Sequence, residues 1–319
     1  MLGKYVYGIT ENRKDQTPKI EGLSVVDFST LSAVIADAEY RDYHNLPKEE
    51  VIKELTSHQQ MIEKMMEQFT VLPVKFGTIL KDEGEVRSVL EKGYSFLRDT
   101  LLEMENKIEL DLVCFWNEQK AAQTALRESK RVQSLQKNLA GKRKAAPEDK
   151  IALGKEIAKF LTTKREKLSS QILRVLKKEA VGSCSHTLAD VNMVLNQAFL
   201  VDRENEETFD HALNKLDSQF ADLVNFRLVG PLPPYSFATV IIDPLDKEEI
   251  ERAKKLLDLG GEVNRGNVKK AYDRLAFKFH PDKGGNPLEF MRVTKSYQLL
   301  RKFAKQGLVG VYLHQWEER

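Results

Sequence analysis

The sequence predicts a protein of the α+β class in which α/β and all-α parts are separated along the chain. Three observations support this class. Short segments rich in Val, Ile and aromatic residues alternate with helical patterns up to residue 117, and again between residues 192 and 244. Residues 118–180 instead consist largely of Lys, Arg, Glu, Gln, Ala and Leu, most of which favour helices. After Pro244 the pattern is helical and basic.

The composition is that of a globular protein with balanced charge. Its 319 residues suffice for two or three domains, and a hydrophobic content of 41% supplies their cores. The 50 basic and 48 acidic residues leave a net charge of +2, which argues against a dedicated nucleic-acid binder. The sequence shows neither a signal segment nor an apolar run of about 18 residues. We therefore expect a cytoplasmic protein with no nucleic-acid or lipid-membrane partner, and reduced structural cysteines at Cys114 and Cys184.

The first predicted domain, residues 1–106, alternates strands with two helices. Apolar residues recur every three or four positions from Lys48 to Phe69, which predicts one buried helix face made of Val51, Leu55, Met61, Ile62, Met65 and Met66. The stretch VLPVKFGTIL is broken by Pro and Gly, so it is predicted as strand and turn. The predicted elements are strands at Tyr5–Ile9 and within Leu23–Glu39, a helix at Lys48–Phe69, strand and turn at Val71–Leu80, and a helix at Asp82–Glu105.

The second predicted domain, residues 107–243, combines strands with a helical hairpin. The only turn signal between Glu118 and Ala180 is GKRKAAPEDK, so two long antiparallel helices are expected there. The strands are predicted at Lys107–Trp116, 193–201, 224–231 and 236–242, and a helix at Glu204–Phe220. This order resembles a ferredoxin-like domain interrupted by the helical hairpin at 118–180.

The last predicted module, residues 246–306, is all-α and basic, and is followed by a C-terminal tail at 307–319. It holds 15 Lys plus Arg against 9 Asp plus Glu, a local net charge of +6. Two helical stripes are expected to pack against each other in an antiparallel hairpin. The first stripe comprises Val268, Ala271, Tyr272, Leu275, Ala276 and Phe279, and the second Phe290, Val293, Tyr297 and Leu300.

The stretch FKFHPDKGGNP, residues 277–287, joins these two helices. Pro281 disfavours the helical conformation at His280, so the first helix should end here, and the two glycines after Lys283 permit a turn. Local folding alone does not require His and Asp on either side of the proline. With its flanking helices, the segment resembles a J-domain of the DnaJ type.

That resemblance implies a DnaK-type chaperone as partner. In the family, the His-Pro-Asp loop and the basic face of the preceding helix engage the chaperone and stimulate its ATP hydrolysis. The corresponding loop residues here are His280, Pro281 and Asp282, and the corresponding basic residues are Lys269, Lys270, Arg274 and Lys278. The sequence departs from the family in its first helix, which lacks the usual aromatic pair, and in having no Gly/Phe-rich or zinc-binding segment after the module.

The first 240 residues show a second resemblance, carried by the order and spacing of several short motifs. These are KYVYGI near the N-terminus, VLPVKFGTIL after the first long helix, the strand ending at Trp116, and LVGPLPPYSFA at Leu228–Ala238. They are similar to the gas vesicle accessory proteins of the F/L family. The resemblance implies a role in gas vesicle assembly, with the gas vesicle shell protein and other gas vesicle accessory proteins as partners, and localisation at the gas vesicle.

An enzyme is the less favoured function class. The sequence contains no phosphate-binding or dinucleotide-binding glycine pattern, and we expect no catalytic residues, cofactor or metal. The pair Cys184 and His186 in GSCSHT is a weak metal or thiol candidate that is better explained as a polar loop. His58 is isolated in the sequence. A general J-domain co-chaperone that delivers a hydrophobic client remains an alternative function.

Overall fold

The computed structural model describes residues 2–12, 22–41, 43, 45–141, 146–244, 247–260, 263–306 and 309–313. They form two compact units. One comprises the described residues of Met1–Glu103 and Thr239–His314, and the other those of Met104–Ala238. The mixed α+β class predicted from the sequence is confirmed, whereas the domain boundaries of the sequence analysis stay predictions.

The N-terminal part of the first unit is an antiparallel sheet covered by helices. Strand order is β2-β3-β1-β4, and β5 also pairs with β1. Val6, Ile9, Leu90 and Leu97 are fully or almost fully buried, which places the core between β1 and α2. The elements are β1 (Leu2–Glu11), β2 (Ser24–Phe28), β3 (Leu31–Glu39), α1 (Lys48–Met66), β4 (Val71–Pro73), β5 (Ile79–Leu80) and α2 (Glu83–Glu103).

The buried face of α1 differs in part from its prediction. Ile62 and Met65 are buried as expected, but the position one turn before Ile62 is His58, which is only 4% exposed, while Leu55 is exposed. The imidazole of His58 can be buried in the core because both of its ring nitrogens have hydrogen-bond partners, as described below.

The second unit is a four-stranded antiparallel sheet with strand order β7-β8-β6-β9. Helices α5 and α6 contact the sheet, and the rings of Phe199 and Phe209, both fully buried, lie 5.2 Å apart. The elements are β6 (Lys107–Trp116), α3 (Glu118–Glu128), α4 (Lys130–Ala140), α5 (Pro147–Leu176), β7 (Gly182–Ser185), β8 (Met193–Asp202), α6 (Glu206–Phe220), β9 (Val224–Leu232) and α7 (Tyr235–Ala238).

Two predictions for this unit are wrong. The segment 236–242 is not a strand of this sheet, because Tyr235–Ala238 forms one helical turn after two prolines, and the fourth strand is Gly182–Ser185.

The helical insertion holds three helices rather than two. Ser129 ends α3 with an extended backbone, and its Oγ accepts a hydrogen bond from the Val132 amide to cap α4. The predicted turn at 141–150 lies partly outside the described residues.

The C-terminal part of the first unit is a helical module between two paired strands. Strands β10 and β11 pair antiparallel from Val240 with Leu313 to Pro244 with Val309, so part of the predicted tail is a strand and the rest lies outside the described residues. Between them, Ile250, Leu257, Val268 and Leu300 share one buried cluster. The elements are β10 (Val240–Pro244), α8 (Lys247–Leu257), α9 (Arg265–Phe279), α10 (Pro287–Gln306) and β11 (Val309–Leu313). Within the described part of the chain, none of the helices is long and apolar enough to cross a membrane.

Candidate functional site

Helices α9 and α10 form the antiparallel hairpin expected from the sequence. The rings of Tyr272 and Tyr297 stack with their centroids 4.2 Å apart, and Val268, Val293 and Leu300 are at most 1% exposed. The two apolar stripes are therefore the inner faces of the hairpin, and the charged residues between them are directed outward. This arrangement places residues 280–286 at the tip of the hairpin.

The tip has a defined conformation. His280 has extended backbone, Pro281–Lys283 form a single 3-10 turn, and the His280 Nδ1 accepts a hydrogen bond from the Asp282 amide at 3.2 Å. The His280 ring also packs edge-on against Phe290 with centroids 5.1 Å apart. The side chain of Asp282 is 87% exposed and that of His280 is 42% exposed. The loop thus presents a carboxylate and part of an imidazole to solvent on a hydrogen-bonded turn.

The glycines of this loop are explained by its geometry. Gly284 has a φ of +79°, a left-handed conformation that costs other residues free energy. A Cβ added to Gly285 would lie 2.2 Å from the backbone carbonyl carbon of Phe279, which is closer than atoms can approach. The close approach to Phe279 therefore requires glycine at position 285, and the left-handed backbone favours glycine at position 284.

The four predicted basic residues lie on α9 and are all exposed. The side chains of Lys269, Lys270 and Lys278 belong to exposed residues. Arg274 lies between them along the helix, and its guanidinium is 3.5 Å from the Asp258 carboxylate and donates to the Leu257 carbonyl at 3.4 Å. Arg274 therefore connects α9 to the end of α8 while its side chain stays 60% exposed. Of the lysines, Lys278 lies with its Nζ 5.3 Å from the centroid of the Phe279 ring.

Two of the sequence motifs of the first domain meet at His58, a residue that sequence reasoning left out. Because the Val74 carbonyl can only accept, His58 Nε2 donates to it at 3.1 Å, and Nδ1 accepts from the Tyr5 hydroxyl at 2.9 Å. The Tyr5 oxygen in turn accepts from the Gly77 amide at 3.2 Å. Burial lowers the pKa of His58 to about 4, so the ring is neutral. In the sequence, the position of His58 one turn before Ile62 could have indicated that it lies on the buried face of α1.

The structure places Cys184 and His186 at one edge of the second sheet. Cys184 lies in β7, which corrects its placement in a loop, and His186 Nε2 lies 3.1 Å from the Ser236 Oγ. Ser236 in turn donates both its amide and its hydroxyl to the carboxylate of Glu109, at 2.7 Å each. Among the described residues, no group of three or more His, Cys, Asp or Glu side chains is arranged to hold a metal.

Glu109 gives this second unit a predicted pH dependence. Burial, followed by the nearby charge of Asp111, raises the pKa of Glu109 well above its usual range. The folded state then holds a proton that the unfolded chain releases above a pH of about 4.3. We expect the free energy of unfolding to fall as pH rises from the unfolded pKa towards the folded pKa. Urea unfolding between these limits measures the slope.

The matched variant for this prediction is Glu109→Gln. Its amide oxygen can accept a hydrogen bond from Ser236, as a carboxyl oxygen of Glu109 does, but the amide does not titrate. The variant should therefore flatten the pH dependence. An unchanged slope would contradict protonation of Glu109 in the folded state.

Comparison with known proteins finds similarity over most of the chain. The model of the family described as gas vesicle synthesis protein GvpL/GvpF matches residues 3–239. Gas vesicle protein F1 of Halobacterium salinarum is 24% identical over 75% of this chain and 93% of its own length. Gas vesicle protein F of Dolichospermum flosaquae is 27% identical over 73% of this chain and 96% of its own length.

A solved structure has a similar fold. The crystal structure of the gas vesicle protein GvpF from an Anabaena species superposes with a TM-score of 0.63 at 23% identity, covering 75% of this chain and 99% of that chain. Separately, a DnaJ protein homolog of Cucumis sativus is 30% identical over 66 residues, which are 21% of this chain and 16% of that protein.

Proposed function

Because this chain belongs to the GvpL/GvpF family of gas vesicle synthesis proteins, we propose that it binds the gas vesicle shell protein or other accessory proteins during vesicle assembly. The observation that carries the proposal is the match over residues 3–239, which spans nearly the full length of several gas vesicle F proteins. A hydrophobic shell subunit tends to aggregate in water until it is incorporated. A protein that binds it beforehand would suppress that aggregation.

The second part of the proposal concerns residues 246–306, which we assign as a J-like module that recruits a DnaK-type chaperone. It is supported by the exposed Asp282 on a hydrogen-bonded turn, by the exposed lysines of α9, and by the similarity to a DnaJ homolog. Because β10 and β11 pair on either side of the module, its two ends are held next to each other. Tethering the two functions raises the effective concentration of the chaperone near the bound vesicle protein.

The ferredoxin-like assignment of the second domain is also kept as a proposal. The strand order β7-β8-β6-β9 with all neighbours antiparallel supports it, since a split βαβ unit has this arrangement. A non-catalytic role is proposed for the whole chain. A general J-domain co-chaperone for hydrophobic clients is the second candidate, favoured by the hairpin tip alone.

Affinity capture with the gas vesicle proteins of the same organism tests the vesicle-binding proposal. The bait is the full chain, because a fragment ending at residue 243 would remove β11, the partner of β10. The matched bait replaces residues 247–306 with a short Gly/Ser linker, which the adjacent ends of β10 and β11 should tolerate. We expect both baits to retain the same vesicle proteins. Capture of none of them by the full chain would reject the proposal.

A further inference from the structure

A cavity of about 320 Å³ opens beside the His58 hydrogen-bond chain in the first unit. Its walls come from β1, β3, residues 41 and 43 between β3 and α1, α1 itself, and the loop after β4. Tyr5 and Tyr7 of one motif and Phe76 of the other line it together with Tyr43. This volume lies at the lower end of the range for binding pockets of small ligands. The two motifs, about 70 residues apart, thus contribute to the same cavity.

The aromatic rings are in mutual contact around this cavity. Tyr7 stacks on His58 with centroids 5.6 Å apart and ring planes at 20°, and the rings of Tyr43 and Phe76 lie 4.7 Å apart. Gly77 allows the close approach of Tyr43, because its φ is +79° and a Cβ there would lie 3.0 Å from the Tyr43 ring. The wall is therefore a preorganised aromatic surface, which attracts cations through the negative faces of its rings.

The charged residues of the wall favour a positive ligand. Three carboxylates, those of Asp37, Glu39 and Glu54, line the cavity with the single guanidinium of Arg41. Arg41 pairs with Glu54, and Lys4 pairs with Asp37 at 2.8 Å, whereas Glu39 is an exposed residue on the cavity wall. His58 adds no positive charge, because both of its nitrogens are engaged in the neutral form.

We propose that this cavity binds a basic side chain, Arg or Lys, of a protein partner. The aromatic surface and the excess of carboxylates both favour such a cation, and the planar guanidinium of Arg can also stack on the rings. That the partner is a gas vesicle protein rests on the proposed function. Binding of the cation itself does not.

A titration with a small probe tests the cavity alone. The probe is N-acetyl-arginine methylamide, and its control is the citrulline analogue, which has the same shape without the charge. Binding is followed in the full chain by NMR of the ¹³C-labelled methyl groups of Ala36 and Ala38, both of which line the cavity. We expect the arginine probe to shift these two signals in a saturable way, with clearly weaker binding of citrulline. Equal binding of the two probes would overturn the proposal.

A pair of variants at Tyr7 separates the aromatic surface from general packing. Tyr7→Phe keeps the ring and should change the dissociation constant by less than about twofold, whereas Tyr7→Leu should raise it between about twofold and thirtyfold. Phe76→Leu provides the same test on the other motif if the Tyr7→Leu protein does not fold. Wild-type affinity in the leucine variants would overturn the proposal.

A capture experiment then separates this inference from the proposed function. Full-length wild type and Tyr7→Leu are compared as baits for gas vesicle proteins. Loss of capture only in Tyr7→Leu supports the cavity as the contact, and equal capture by both excludes the cavity as the site for that partner. If the arginine probe binds but the wild type captures no vesicle protein, the proposed function fails while the cation site stands.

Discussion

His280→Gln is expected to abolish stimulation of ATP hydrolysis by a DnaK-type chaperone while leaving the chain folded. The side chain contributes one hydrogen bond to the Asp282 amide and an edge contact to Phe290. Losing these should cost about 1 kcal/mol of stability at most, since a single neutral hydrogen bond contributes about that much. Steady-state ATPase measurements with the organism's own chaperone, together with circular dichroism of the variant, test both parts.

The matched control is Lys295→Gln on α10, which removes an exposed positive charge outside the loop and α9. It should stimulate as the wild type does.

Stimulation by the wild type should also weaken as ionic strength rises beyond about 0.15 M, because docking depends on exposed charges. If neither the wild type nor the variants stimulate, the hairpin serves as a partner-binding or spacer element. If His280→Gln unfolds the hairpin, the imidazole has a structural role instead.

Gly285→Ala is expected to have the largest effect on the stability of the C-terminal module. The new Cβ would lie 2.2 Å and 2.4 Å from the carbonyl carbon and oxygen of Phe279, both backbone atoms that cannot rotate away. The loop must open, which also breaks the hydrogen bond from the Gly285 amide to the His280 carbonyl. We expect a loss of about 3 kcal/mol or more, at the upper end of overpacking effects. Chemical unfolding and hydrogen exchange in α9 and α10 measure it.

Gly284→Ala is the control, because it changes the neighbouring glycine in the same way without a clash. Nothing lies within 4 Å of the position that its new Cβ would occupy, so the cost is that of the left-handed backbone alone, about 1–2 kcal/mol. Equal destabilisation by the two variants would show that the close approach to Phe279 does not hold in solution.

Features controlled by nearby residues could be predicted from the sequence. The hairpin of α9 and α10 follows from two apolar stripes and from Pro281, which ends the first helix. Helix α6 was predicted from Phe209, Leu213, Leu216 and Phe220, of which the first three are buried and Phe220 is half-buried. In each case the period of the apolar residues and the local backbone preferences lead to the same structure.

Pairings between distant residues could not be predicted in this way. Strand β7 is short and polar, and only its ladder with β8 makes it a strand. Strand β11 depends on β10, more than 60 residues earlier, and the sequence contains no signal for that register. Arg274 was predicted to belong to a basic face and is exposed. Its contact with Asp258 became visible only when α8 and α9 were placed together.

The sequence by itself determined the α+β class, the family motifs and the His-Pro-Asp turn, because each depends on residues that are neighbours along the chain. Only the tertiary structure decided that Tyr5, His58 and Val74 form one hydrogen-bond chain. The physical reason is that a buried polar side chain must find its partners in space, and these partners lie 53 and 16 residues away along the chain. The cavity beside them has no local signature, since its wall is assembled from five separate segments of the chain.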